Sequence, residues 1–278
     1  MRTEQNMAEI SKKNAEFWDT PCGTVAATAL GLPDCSRASL RAYDDWFFSF
    51  YPYLFKHIPF KAMRGKKVLE VGLGYGTVAQ RIAEAGAEYV GLDIAQGPVE
   101  LVNQRLKQSF LPGIAQQGNV LECPFPDDTF DYVVAIGCYH HTGDLQKALD
   151  ETHRVLKSGG SAIVMVYSRY SIRQWKRHTL PTLKRFLHEY MGWMTNTAMS
   201  TKERGAFDVL PSGEAAPETV LTSKKHLRQM TSRFKSVSVR AERLDVKGIT
   251  FLKYLSREFC CRNFGKYLGF DLYATLVK

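Results

Sequence analysis

The chain has 278 residues, is 45% hydrophobic and 23% charged, and carries a net charge of +9. That length holds one large α/β domain with additions, and the composition is that of an ordinary globular chain, not a disordered or fibrous one. The longest unbroken apolar run, 162–167, is far too short to span a bilayer, and the first residues lack the apolar core of an export signal.

In chain order, residues 6–19 suit a helix carrying Ile10, Phe17 and Trp18, which Thr20-Pro21-Cys22-Gly23-Thr24 then breaks. Residues 25–37 are expected as loop. Residues 38–58 are dense in aromatics from Tyr43 to Phe55, set all round a helix, so burial on more than one side is expected. A membrane-interface position is the alternative, opposed by the acidic Asp44 and Asp45. From Lys66 the pattern alternates. Strands are expected at 67–71, 89–93, 114–117, 130–136 and 161–167, and helices at 77–86, 98–109 and 144–156. Gly97-Pro98 opens the second of these helices, and Lys157-Ser158-Gly159-Gly160 closes the third. Strands separated by helices of about ten residues mean βαβ units and a parallel sheet. After Tyr167 the regularity loosens. A helix at 172–190 is interrupted by Pro181, and 191–220 is an irregular insertion. Thr222 caps a helix at 223–233, a strand covers 237–244, 250–262 carries no clear pattern, and a last strand covers 269–277.

The most informative stretch is Val68-Leu69-Glu70-Val71-Gly72-Leu73-Gly74-Tyr75-Gly76-Thr77. A buried strand runs into three glycines spaced by two, with a helix start behind them. Glycine is required where backbone takes positive φ or closes on a ligand. Asp93 follows Gly72 by 21 positions at the end of the next strand, where nucleotide-binding folds hold a ribose diol. Thr77 stands where a dinucleotide fingerprint needs its third glycine, which sets a dehydrogenase reading aside.

The G-x-G-x-G loop resembles motif I of the class I S-adenosylmethionine (SAM)-dependent methyltransferases. Three further segments extend the resemblance to the methyltransferase 11 type, which includes the ubiquinone-biosynthesis C-methyltransferases. They are Gly118 to Asp131, Ala135 to Asp144 with its Tyr139-His140-His141, and Arg154 to Gly160. The resemblance covers about 66–168. It implies a Rossmann-like, doubly wound α/β fold: a seven-stranded sheet with an antiparallel last strand, closed by a hairpin of two late strands. It also implies a helical, aromatic-rich lid over 1–64, a SAM-binding domain over 65–278 and a substrate-side insertion at 170–222 between strands five and six. The activity implied is methyl transfer from SAM to a small-molecule acceptor by in-line displacement, with S-adenosylhomocysteine as product. Cofactor contacts are then expected from Glu70, Gly72, Gly74, Gly76, Asp93, Ile94, Asn119 and Val120. Asn119 stands where relatives most often have Asp, and its amide oxygen can still accept a bond from adenine. His141, His140 and Tyr139, after the fourth strand, are candidates for the chemistry, an imidazole being a suitable base near neutral pH. Arg41, Tyr43, Tyr167, Arg169 and Tyr170 are candidates for holding the acceptor.

Charge is uneven: from Arg169 onward there are 21 Lys+Arg and 9 Asp+Glu. This basic part suggests an anionic acceptor, a solvated basic face being the alternative. It also gives an RNA methyltransferase its support, but the Asn/Asp-Pro-Pro-Tyr/Phe motif of base-methylating enzymes is absent after strand four, so nucleic acid is disfavoured. A non-catalytic SAM-binding protein is the remaining alternative, opposed by the intact loop, Glu70 and Asp93. The six cysteines (Cys22, Cys35, Cys123, Cys138, Cys260, Cys261) lack C-x-x-C spacing and are expected as free thiols in the cytoplasm. No His/Cys cluster has zinc-ligand spacing, so no metal is expected. A monomer or homodimer is expected.

Overall fold

The computed structural model describes residues 4–19, 25–32, 34–192, 199–244 and 257–278. Its elements in chain order are α1 (Glu4–Trp18), α2 (Val25–Ala29), α3 (Arg37–Phe50), α4 (Leu54–His57), β1 (Lys67–Val71), α5 (Thr77–Glu84), β2 (Glu88–Asp93), α6 (Gln96–Gln108), β3 (Ile114–Gln117), β4 (Phe130–Ile136), α7 (Leu145–Val155), β5 (Leu156–Tyr167), α8 (Ile172–Arg177), α9 (Thr179–Tyr190), α10 (Thr201–Arg204), α11 (Lys224–Met230), β6 (Ser236–Glu242), α12 (Arg257–Leu268) and β7 (Asp271–Val277). The strands form one seven-stranded sheet in the order β3-β2-β1-β4-β5-β7-β6. β1 to β5 pair in parallel, and β7 runs antiparallel to both β5 and β6. This is the doubly wound α/β sheet expected, with its antiparallel last strand.

Period two along the strands sends side chains to two cores. Leu69, Val71, Val133, Ala135, Val164 and Val166 face one side, toward Leu149 and Val155 of α7. Val68, Val134, Ile163 and Met165 face the other, with Ile82 of α5 and Val102 of α6. Burial on both faces explains why the central strands read as near-continuous apolar runs. It also puts Glu70, two residues after Val68, on the buried α5–α6 side.

Several expectations needed correction. Residues 25–29 form a short helix within the stretch expected as loop. β5 starts at Leu156, because Lys157 to Gly160 continue the strand instead of ending the helix. The helix expected over 172–190 is two helices parted at His178, whose φ is −138°. A proline at 181 clashes with the carbonyl four residues back, so α8 ends at Arg177 and Pro181 falls in the first turn of α9. The cap of α11 is Ser223, not Thr222: the Ser223 side chain accepts from the His226 N–H. The last two strands pair antiparallel but are not a hairpin, since α12 lies between them. Cys123, Cys138 and Cys260 are free thiols, but Cys35 is disulfide-bonded, a proximity that spacing along the chain does not report. The break expected at 20–24 and most of 250–262 lie outside the described residues. No helix among the described residues is long and apolar enough to cross a membrane.

The aromatic segment packs differently from expectation. Trp46, Phe47, Phe48 and Phe50 are half-buried, because α3 lies on α5 at the outside of the sheet rather than between two layers. Trp46 packs tilted against Tyr43 at 5.3 Å and stacks on Phe50 at 5.4 Å. The polar side of α3 is its anchor. Asp44 pairs with Arg105 of α6 and accepts from Thr77 Oγ1 at 2.6 Å. The same guanidinium donates to the Tyr75 carbonyl inside the glycine loop at 2.7 Å. One buried cation thereby ties α3, α6 and the loop together. Asp44→Ala strands that cation without its carboxylate and should cost about 3 kcal/mol. Urea unfolding measures it, with the exposed Asp45→Ala expected to leave the midpoint unchanged.

Candidate active site

The glycine loop leaves the carboxyl end of β1, and all three glycines take positive φ: 78° at Gly72, 50° at Gly74 and 72° at Gly76. A Cβ at Gly72 would lie 2.4 Å from Cys138 Cβ, and one at Gly76 would lie 2.9 Å from Val102. These two glycines serve packing as well as conformation. A Cβ at Gly74 meets nothing within 4 Å, so Gly74 faces open space.

Two carboxylates lie beside this loop. Asp93, at the end of β2, accepts from the Leu73 N–H at 2.7 Å and from the Ala95 N–H at 3.0 Å. Burial pushes its pKa up to about 6 against those bonds. Glu70 accepts from the Tyr89 hydroxyl at 2.8 Å, and burial raises it to about 8. Neither carboxylate forms an ion pair with a described residue. Buried carboxylates without a cation beside them are costly to ionise. The arrangement therefore favours a positively charged ligand.

α1 lies across the carboxyl ends of three successive strands. The Gly97 N–H, after β2, donates to Asp19 at 2.8 Å. Asn119, after β3, donates to Ser11 Oγ at 3.3 Å. The His141 carbonyl, after β4, accepts from Asn14 at 2.7 Å. Trp18 packs on the His141 ring at 5.1 Å. The Asn119 side-chain oxygen Oδ1 accepts from the Leu121 N–H at 3.0 Å, capping the short turn that holds Val120. Ile94 is half-buried, and its carbonyl accepts from Gln117 at 3.0 Å. Tyr43 stacks on Tyr75 of the loop at 3.9 Å, whereas Arg41 on the same helix is exposed.

A second polar cluster sits at the carboxyl ends of β4 and β5. His140 and His141 are buried, their rings 4.1 Å apart, and His140 packs 4.0 Å from Tyr167. The Tyr167 hydroxyl donates to Asp208 Oδ1 at 3.1 Å. The second Asp208 oxygen lies 3.5 Å from His141 Nε2. Burial, then His141 and Arg243, hold the His140 pKa well below its usual range. Arg243, itself at a φ of 54°, pairs with Asp271 at 3.1 Å and donates to the Tyr51 hydroxyl at 3.1 Å.

Five of the residues expected for the chemistry or the acceptor lie away from this cluster: Arg41 and Tyr43, on α3, and Tyr139, Arg169 and Tyr170. Tyr139 is fully buried in the core beside α7, its hydroxyl bonded to Thr152 at 2.7 Å. Arg169 spends its guanidinium on the Leu221 carbonyl at 3.0 Å and on Glu189 at 3.8 Å. The Tyr170 hydroxyl donates to Glu189 at 2.6 Å. In a strand-to-loop transition neighbouring side chains diverge, so proximity in sequence to Tyr167 does not place 169 and 170 in its pocket. Sequence reading missed Asp208, Arg243 and Asp271. Asp208 lies in the irregular insertion and Arg243 at the end of β6, where no local motif marks them.

Residues 69–164 match the family described as a methyltransferase domain. The demethylmenaquinone methyltransferase of Tropheryma whipplei (strain Twist) is 30% identical over 129 residues, covering 44% of this chain and 53% of that protein. The enzyme of the same name from Lysinibacillus sphaericus (strain C3-41) is 33% identical over 140 residues, covering 49% and 56%. The chain thus spans about half the length of these curated relatives. Haemonchus contortus phospholethanolamine N-methyltransferase 2, solved in complex with phosphomonomethylethanolamine and S-adenosylhomocysteine, has the same fold. It superposes with a TM-score of 0.56 at 15% identity, over 94% of this chain and 60% of that one. Residues 69–164 are thus similar to the methyltransferase domain family, and the 3-2-1-4-5-7-6 sheet is the fold of the solved methyltransferases that the chain resembles.

Proposed function

We propose that the protein transfers a methyl group from SAM to a small-molecule acceptor. The observation that carries this reading is the pair of buried carboxylates, Glu70 and Asp93, flanking a glycine loop whose middle residue faces open space. SAM brings an ammonium and a sulfonium, and its ribose brings two hydroxyl donors. Asp93 would accept from the ribose, and Glu70 would balance the positive charge. Gly74 would let the backbone lie against the ligand, with Ile94 and Val120 beside adenine. α1 and α3 act as the lid, since both are tied by side chains to loops at the carboxyl edge, where open α/β sheets bind ligands.

Transfer is a displacement at the sulfonium methyl. Positive charge disperses in its transition state, so catalysis consists mainly of alignment and exclusion of water. His140, His141 and Tyr167 stand on the acceptor side. Two relatives are named demethylmenaquinone methyltransferases, which supports a small organic acceptor. The acceptor is anionic in its reacting form: a hydroxyl beside the imidazoles gives up its proton, and Arg243 lies close by. Arg169 and Arg243 are buried against Glu189 and Asp271, so two cations of the basic part are already balanced.

Calorimetry with S-adenosylhomocysteine should show one site, lost in Asp93→Ala; no binding by the wild-type chain would refute the reading. Asp93 must be ionised to hold the ribose, and its free-state pKa is raised to about 6. Affinity should therefore begin to fall below about pH 8, as Glu70 takes up its proton, and more steeply below about 6, where Asp93 follows. Gly74→Ala should weaken binding at least tenfold while costing only about 1–2 kcal/mol of stability, the penalty of a Cβ at positive φ; equal affinity would show that the loop backbone does not touch the ligand.

A further inference from the structure

Four buried polar atoms on three neighbouring side chains have no hydrogen-bond partner: both ring nitrogens of His140, Nε2 of His141 and Oδ2 of Asp208. Each of the three residues offers one ligand atom, and these atoms lie within 4.8 Å of one another. We propose that His140, His141 and Asp208 bind one divalent transition-metal ion. The outer contacts fix the chemistry of the inner atoms. His141 Nδ1 lies 2.6 Å from the Glu218 carbonyl, which can only accept, so Nδ1 carries the hydrogen and donates it. Nε2 then presents a lone pair. Asp208 Oδ1 takes the Tyr167 hydroxyl at 3.1 Å, which turns Oδ2 toward that lone pair at 3.5 Å. Two acceptors facing each other in a buried site call for a positive charge between them. A proton on Nε2 would satisfy that pair alone and leave both nitrogens of His140 unpartnered. A metal ion takes one atom from each of the three residues, one nitrogen of His140 included.

A donor set of two imidazoles and one carboxylate is typical of zinc and its first-row neighbours. An imidazole N–H on a carbonyl and a hydroxyl on the carboxylate are the usual outer contacts of such ligands. Three protein ligands leave a position for water or an acceptor oxygen. The site bridges the loop after β4 and the insertion between β5 and β6, so the ion would also pin the insertion to the sheet. Metal binding itself does not rest on the methyl-transfer reading; only its use, holding an acceptor oxygen as the anion, does.

The test is calorimetric titration of the chelator-treated full chain with Zn2+, alongside S-adenosylhomocysteine on the same sample. One equivalent of Zn2+ is expected, with a thermal upshift, weakened at least tenfold in Asp208→Asn and in Tyr167→Phe. The Tyr167 variant keeps all three ligands and loses only the bond to Asp208, so it also guards against a misfolded ligand variant. The Co2+ form should show d–d absorption without thiolate charge transfer. No Zn2+ uptake, uptake unchanged in both variants, or a thiolate band would overturn the proposal. Zn2+ uptake without S-adenosylhomocysteine binding would instead overturn the methyl-transfer reading and leave the metal site standing.

Discussion

The Asp93 carboxylate holds the glycine loop by the Leu73 N–H, and the rest of the site follows from that bond. It fixes the end of β2 against the turn after β1, so the two parallel strands open into one crevice. It also places an ionisable group where water is scarce. A carboxylate in that position resists ionisation unless a cation or several donors meet it. Glu70, one strand over and more deeply buried, faces the same condition with the Tyr89 hydroxyl as its donor among the described residues. The structure thus carries two latent negative charges at the mouth of a glycine loop. A cationic nucleoside satisfies both, and an anionic dinucleotide would add to the repulsion. The choice between cofactors therefore lies in charge as much as in the missing third glycine.

The loop itself is shaped from the other side. Arg105 reaches from α6 to the Tyr75 carbonyl while paired with Asp44 of α3. The helix that carries the aromatic segment is thus coupled to loop geometry through one guanidinium. Tyr43 adds a ring stacked on Tyr75. A shift of α3 is felt at the loop without any change in the sheet. That coupling gives the N-terminal helices a physical route to influence ligand binding.

What was legible in the sequence follows the range of the interactions involved. β1 to β5 showed themselves because two-sided burial writes continuous apolar runs, and the glycine loop because its backbone excludes other residues. Asp93 was legible since a strand end and a fixed offset mark it. Tyr139, Arg169 and Tyr170 lie away from the histidine pair because direction, not position, decides what a side chain touches. The Pro181 break was misjudged by three residues, since proline acts on the carbonyl four positions earlier. Asp208 could not be found at all. It lies 67 residues after His141, in a stretch without periodicity, and only tertiary folding brings it to the histidines.

That last case bears on how the acceptor side is built. The methyltransferase sheet supplies His140 and His141, and the insertion supplies Asp208, oriented by Tyr167 at the end of β5. Neither half is complete without the other. In an open α/β sheet the ligand crevice is written in the strand ends, whereas the polar cluster beside it is assembled here from what the insertion lays over them. A family match confined to 69–164 covers the donor site and both histidines but stops short of Asp208 and Arg243. On the proposed reading, acceptor selection would reside in the contact between the sheet and the segments that follow β5 and β6, and substitutions at 208 and 243 should alter it while leaving the glycine-loop crevice intact.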